Sequence, residues 1–267
     1  MRYLAIVMLC LLSFHINAQE LFVMTEPASN MPTGSIGVRD MSLFAFKKTD
    51  GYNYHNMPEL MWGVNKDWML HASAFLSNKE GNLKLEGGSL YAKYRFFSVD
   101  DLHSHFRLAA YGRISTSNAG IHQEDIETMG MNSGCEIGAV ATQLINKTAL
   151  STSISYERAL NNQDYDFPDA FSNSALNYTF SIGQLMYPKK YINFKQTNIN
   201  AMLEFLGQRL NQNGKSYLDV VPSVQFIINS QARIDLAYRR QIYSDMERIS
   251  TNSILLKLEY TFFNVTN

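Results

Sequence analysis

Cysteine is almost missing. The 267-residue chain holds two, Cys10 and Cys135. Cys10 lies in an amino-terminal stretch expected to be removed, and Leu9 beside it is too bulky for a lipoprotein-type cut. One thiol then remains, so an internal disulfide framework is excluded. Excess charge is missing too, with a net of −1 at pH 7. That leaves no electrostatic case for nucleic acid, and no zinc-finger or recognition-module spacing occurs. Proline is scarce, at six residues. After Phe14, no apolar run approaches the roughly 20 residues of a spanning helix. Nor is there a phosphate loop: Gly87-Gly88 is followed by a strand pattern rather than a helix start.

What is present begins with an export signal. MRYLAIVMLCLLSFHINA, residues 1–18, has Arg2, an apolar run from Tyr3 to Phe14 and a polar stretch ending in Ala18. This is the layout of a secretory signal peptide, with cleavage expected between Ala18 and Gln19. An exported chain without a spanning helix can enter a membrane only as a closed barrel. Residues 19–34 read as an extended periplasmic segment that could fold into a pore, and residues 35–267 as a single domain.

From Ser35 onward the pattern is strand, turn, strand. Twelve strands are expected, over roughly 35–47, 55–65, 68–77, 87–98, 103–117, 133–145, 148–161, 174–187, 197–210, 215–228, 232–244 and 252–264. Side chains alternate with a period of two: Ile234, Leu236 and Tyr238 oppose Arg233, Asp235 and Arg239, and Leu176, Tyr178 and Phe180 oppose Asn177, Thr179 and Ser181. These strands reach the roughly 9–11 residues that cross a bilayer at a tilt. Connections alternate between tight turns (Asn65-Lys66-Asp67, Asn146-Lys147, Asn229-Ser230-Gln231) and longer polar links such as 118–132 and 162–173. A barrel with periplasmic turns and outer loops sorts its connections this way, whereas a Greek-key sandwich has no reason to. One connection, Pro188 to Gln196, is long at the turn end. Arg158 and Arg240 have lipid-face parity near the loop end, and Pro222 is expected to distort its strand. The fold class is therefore all-β: a single antiparallel up-and-down transmembrane β-barrel of about 12 strands.

The closing stretch ILLKLEYTFF, with Leu256, Leu258, Tyr260 and Phe262 on one face, resembles the C-terminal strand of Gram-negative outer-membrane proteins. It departs from that pattern in carrying Val265, Thr266 and Asn267 after the strand. Together with TEPASNMPTGSIGVR, MPELMWGVNKDWMLHASAF and YAKYRFFSVDDLHSHFR, the chain resembles transporter-type outer-membrane barrels similar to the channel group associated with phenol-degradation pathways. The resemblance implies outer-membrane localisation, contact with outer-membrane lipid, recognition by the barrel-assembly machinery, and passage of a small-molecule solute.

Opposite parity assigns the inward residues. Arg107, Arg113, Glu204, Asp219, Asp235, Arg239, Lys257 and Glu259 are the expected lumen lining, joined by Glu59, Lys93, Glu136, Glu157 and Arg233. Acid and base balance, which fits a polar pathway and equally a self-neutralising network filling a closed structural barrel. His71 and Ser73 share a strand face, the spacing a catalytic pair needs, but they fall inward with no orienting third residue apparent. No catalytic residue and no cofactor is expected. For metal, His122, Met129 and Met131 share the longest outer loop, with His55-Asn56-Met57 and His103-Ser104-His105 as further candidates. None has the spacing of an established site.

Overall fold

The computed structural model describes residues 22–47, 51–101, 104–189 and 195–266. Residues 1–18, His103 and most of the 188–196 connection lie outside the described residues. Twelve strands alternate with turns and loops: β1 (Ile36–Lys47), β2 (Tyr52–Gly63), β3 (Trp68–Ser77), β4 (Lys84–Asp100), β5 (Ser104–Ser117), β6 (Gly134–Ile145), β7 (Thr148–Ala159), β8 (Ser174–Tyr187), β9 (Thr197–Leu210), β10 (Ser216–Ile228), β11 (Ala232–Ser244) and β12 (Ser250–Phe262). Each pairs antiparallel with the next, and β1 pairs with β12, so the barrel is closed and has no free edge. No helix long and apolar enough to cross a membrane occurs among the described residues.

Turn chemistry sets the short end. Asn229 and Ser230 both have positive φ (52° and 56°), and Gln231 N–H donates to the Ile228 carbonyl. That is the primed turn whose twist matches a hairpin. The Asn65 side chain accepts from the amides of Asp67 and Trp68. Longer links gather at the other end.

Outward positions form an oily belt, with Leu60, Leu90, Ile114, Ile137, Phe180 and Leu236 all exposed. Aromatic residues rim it. Trp62, Trp68, Tyr94, Tyr260 and Phe262 lie toward the turn end, where Trp68 stacks on Tyr94 at 4.8 Å, and Tyr52, Tyr156 and Tyr243 lie toward the loop end. An exposed apolar surface of this extent is a liability in water and the natural face toward hydrocarbon.

Three details differ from expectation. β2 starts earlier and β4 is longer at both ends, with a bulge between Arg95 and Phe97. Pro222 interrupts the ladder to β11 as expected, with no pairing for Val221 and Pro222, but the register resumes unshifted from Val220↔Arg240 to Ser223↔Ala237, and the bulge lies instead at Leu218/Asp219. The belt is also broken by an outward polar cluster. The Asn56 amide donates to Asp40 at 2.8 Å, and Ser42 and Tyr54 hydroxyls meet at 2.9 Å. Mutual hydrogen bonding lowers the cost of placing these groups beside lipid.

Candidate functional site: a chamber inside the barrel

The inner wall is polar, and two segments fill much of what it encloses. Residues 22–35 enter at the turn end and have no regular secondary structure. The wall holds their backbone. Glu204, fully buried, accepts from the amides of Val23, Met24 and Thr25 at 2.8–3.2 Å. Lys93 Nζ donates to the carbonyls of Pro27 and Ser29, both at 2.7 Å, and Lys257 Nζ to that of Val23 at 2.6 Å. Ala28 N–H donates to Thr142 Oγ1 at 2.9 Å, and Arg107 reaches Ser29 Oγ at 2.7 Å. The apolar core therefore lies inside the barrel: Phe22 and Val23 bury against Met202, Val221 and Leu255.

Glu26 is the segment's main charged contribution. It meets Arg39 at 3.4 Å and Lys93 at 3.5 Å. Burial pushes its carboxyl upward, but Lys93 and Arg39 outweigh this and hold it well below the usual carboxylate range. Arg39 is itself shared by Glu59 and Glu259, each at 2.9 Å, and Glu259 continues to Arg233 at 2.7 Å.

At the loop end, residues 118–133 fold inward. Gln208 exchanges two hydrogen bonds with the Ile126 backbone at 2.8–2.9 Å, and Glu157 accepts from both the amide and hydroxyl of Thr128 at 2.6 Å. Arg248 clamps Asp219 through two parallel bonds of 2.8 Å and reaches Asp125 at 3.2 Å. Lys215 holds Glu124 at 2.7 Å. Burial raises the Glu127 carboxyl, Asp125 adds to the rise, and Arg239, Arg248 and Arg113 oppose it.

Between segment and loop lies a chamber of about 200 Å³. Its floor includes Met24 and Glu26, its roof Ile126 to Met129, and its walls Tyr91, Tyr111, Arg113, Glu136, Glu157 and Arg239. Arg113 pairs with Glu136 at 3.4 Å and lies 5.2 Å from the Tyr91 ring centre. The buried Tyr91 hydroxyl faces this chamber without a hydrogen-bond partner.

All eight residues expected to line the lumen fall on the inner wall, but at separate levels. Arg107, Glu204 and Lys257 hold the amino-terminal segment. Asp235 and Glu259 belong to the Arg39–Arg233 network, with Asp235 3.3 Å from Arg233 and 3.6 Å from Lys257. Arg113 faces the chamber, while Asp219 and Arg239, 2.6 Å apart, lie under the loop. Arg39, Glu26, Asp125 and Arg248 were not anticipated. Arg39 carries an inward parity, but β1 mixes polar and apolar residues on both faces, so its parity was ambiguous.

His71 and Ser73 do have a shared third residue, contrary to expectation. Glu59 Oε1 lies 3.0 Å from both His71 Nδ1 and Ser73 Oγ. The serine donates to the carboxylate and not to the imidazole, so the direct His–Ser contact of a catalytic pair is not formed. His122 is exposed beside Gly120 and does not line the small cavity that Met129 and Met131 share. Among the described residues, no group of three or more His, Cys, Asp or Glu side chains is arranged to hold a metal ion.

No family model matches the chain, and no curated protein matches it. Solved structures do. An outer membrane channel from Pseudomonas putida F1 superposes with a TM-score of 0.59 at 10% identity, over 90% of this chain and 100% of that one. A KdgM porin gives a TM-score of 0.48 at 10% identity, over 85% of this chain and 99% of that one. A NanC porin gives 0.48 at 10%, over 84% and 98%. At this identity the likeness to the Pseudomonas putida channel is one of fold alone.

Proposed function

We propose that the chain is a Gram-negative outer-membrane barrel that passes a small polar solute passively, with both ends narrowed by its docked segments. The observation carrying this reading is the chamber of about 200 Å³ between two docked segments, lined by both signs of charge and by tyrosines. A barrel needing only to be a wall has no reason to keep a polar cavity inside. The volume is below the roughly 300–1,000 Å³ of drug-sized ligand sites, which favours small solutes. Opposed charges such as Arg113 and Glu136 would orient a polar or zwitterionic molecule, as charged rings do in pores. The barrel works without a cofactor, and the lumen Ser73 and His71 serve as hydrogen-bonding residues on Glu59. The turn end faces the periplasm, the β12 face is the signal read by the barrel-assembly machinery, and the oily belt contacts outer-membrane lipid.

The test is conductance of purified protein in a planar bilayer, comparing the full chain with a variant lacking residues 22–33 and with Arg248→Ala. Low, flickering current from the full chain and discrete larger steps from the variants are expected. Silence from all three, with barrels correctly folded, would make this a closed structural barrel and end the channel reading.

A further inference from the structure

The loop carrying the sequence Met129-Gly130-Met131 ends in a built turn. Met131 and Asn132 amides both donate to the Glu127 carbonyl, at 3.1 and 2.9 Å, and the Glu127 amide donates to Asn132 Oδ1 at 2.9 Å. Gly130 supplies a φ of 129°, which L side chains rarely adopt. This turn brings two thioethers to the inner wall of β1 and β2. There Met41 lies opposite Met57 in the strand register, and His55, two residues before Met57, shares its face. All five side chains line one small cavity of about 30 Å³, walled by Leu43 and Phe75.

Methionines meeting in a core are ordinarily adaptable filling. The histidine is not explained that way. Its Nε2 is buried and has no hydrogen-bond partner, although buried polar atoms are almost always satisfied. The cavity thus gathers an unsatisfied imidazole nitrogen and four methionines, a set of uncharged donors. Thioethers select soft cations, and an uncharged set suits a monovalent one, whereas Ca²⁺ or Mg²⁺ takes oxygen ligands. Glu127 is the one carboxyl lining the cavity.

We propose that Met41, Met57, Met129 and Met131, together with His55 Nε2, form a binding site for a soft monovalent cation of the Cu(I) class. His122, the histidine nearest to these methionines in sequence, is not part of it. Because two ligands come from the loop and three from the wall, an ion bound there ties the loop to β1 and β2.

Ag(I), an air-stable ion of the same class, is the probe. The full chain in detergent has its thiols first capped with N-ethylmaleimide, since the exposed Cys135 would otherwise compete. It is then loaded with Ag(I), desalted and analysed for metal and for silver-edge X-ray absorption. Retention of about one ion per chain, with sulfur and nitrogen scatterers, is expected. The paired substitution Met129→Leu with Met131→Leu keeps the apolar volume and lies outside the strands, so it leaves the barrel able to fold. It is expected to weaken retention at least about tenfold. His55→Phe is expected to remove the nitrogen signal. No retained silver in the parent chain, or equal retention in the paired leucine variant, overturns the proposal.

Discussion

Residues 22–35 and residues 118–133 both lie inside the barrel, yet the wall grips the first mainly by its backbone and the second by its backbone and its charged side chains together. Glu204, Lys93 and Lys257 reach amides and carbonyls of the amino-terminal segment, so most side chains of that stretch are not what is recognised. The loop adds side chains to its backbone contacts, offering Glu124, Asp125 and Thr128 to Lys215, Arg248 and Glu157. A backbone grip tolerates sequence change in the segment but concentrates its strength in a few wall residues. A side-chain grip spreads risk over both partners and is open to salt and pH.

The largest effect should come from Glu204→Leu. It leaves three buried amides without an acceptor and should cost about 3–5 kcal/mol of docking, as losing one partner of a buried charged contact does. The segment should undock, giving a rise in conductance and thiol labelling of an introduced Thr25→Cys. Unchanged labelling would show that the apolar contacts of Phe22 and Val23 hold the segment alone. Arg248→Ala should release the loop more modestly, by about 1.5–3 kcal/mol, read as a higher open fraction at low salt. An effect matching that of Glu204→Leu would erase the distinction between the two grips.

The two segments should also answer acid with opposite signs. Glu127 has a raised folded-state pKa, so its contribution to loop docking is full below the ordinary carboxyl value of 4.5 and is lost as pH rises through the raised value. Glu26 is depressed, so its contribution to segment docking is present above 4.5 and is lost only in strong acid. Moving from about pH 7 to about pH 4.5 should therefore tighten the loop and leave the segment in place. In single-channel records Glu127→Gln should abolish that pH response; a persisting response would assign it elsewhere. The smallest effect is expected from Asn30→Ala, within about 0.5 kcal/mol, because its side chain makes only a 3.4 Å contact with the Lys66 carbonyl. A large loss of segment docking there, by the same labelling assay, would mean side-chain recognition matters after all.

The strands were legible because each repeats one physical signal. On β11, Ile234, Leu236 and Tyr238 point outward while Asp235 and Ala237 are buried inside. Asparagine at Asn65, Asn146 and Asn229 marked the turns by its tolerance for unusual backbone angles or its local hydrogen bonding. β1 was harder, because Asp40 and Ser42 sit on the outer face where only apolar residues were expected, their polarity met by Asn56 across the ladder. What parity could not convey is depth. It placed Glu204, Arg113 and Asp219 on one inner surface but not at different levels. It left the inward fold of the amino-terminal segment open and could not show its contacts, since residues 22–35 have no period and some partners lie far along the chain, as Glu204 does from Val23. The meeting of Met129 and Met131 with His55, instead of His122, was hidden for the same reason.

The tail that follows the last strand has a consequence of its own. Val265 and Thr266 amides both donate to the Gly34 carbonyl, at 2.8 and 3.0 Å, and Trp62 Nε1 holds the Thr266 hydroxyl at 3.0 Å. Gly34 has a φ of 71°, and a methyl group there would strike the Thr266 carbonyl. The tail thus works as a latch on the inner segment, and it can close only after β12 has met β1. Closure of the wall is thereby recorded at the mouth of the inner segment, since the contact exists only in a completed barrel.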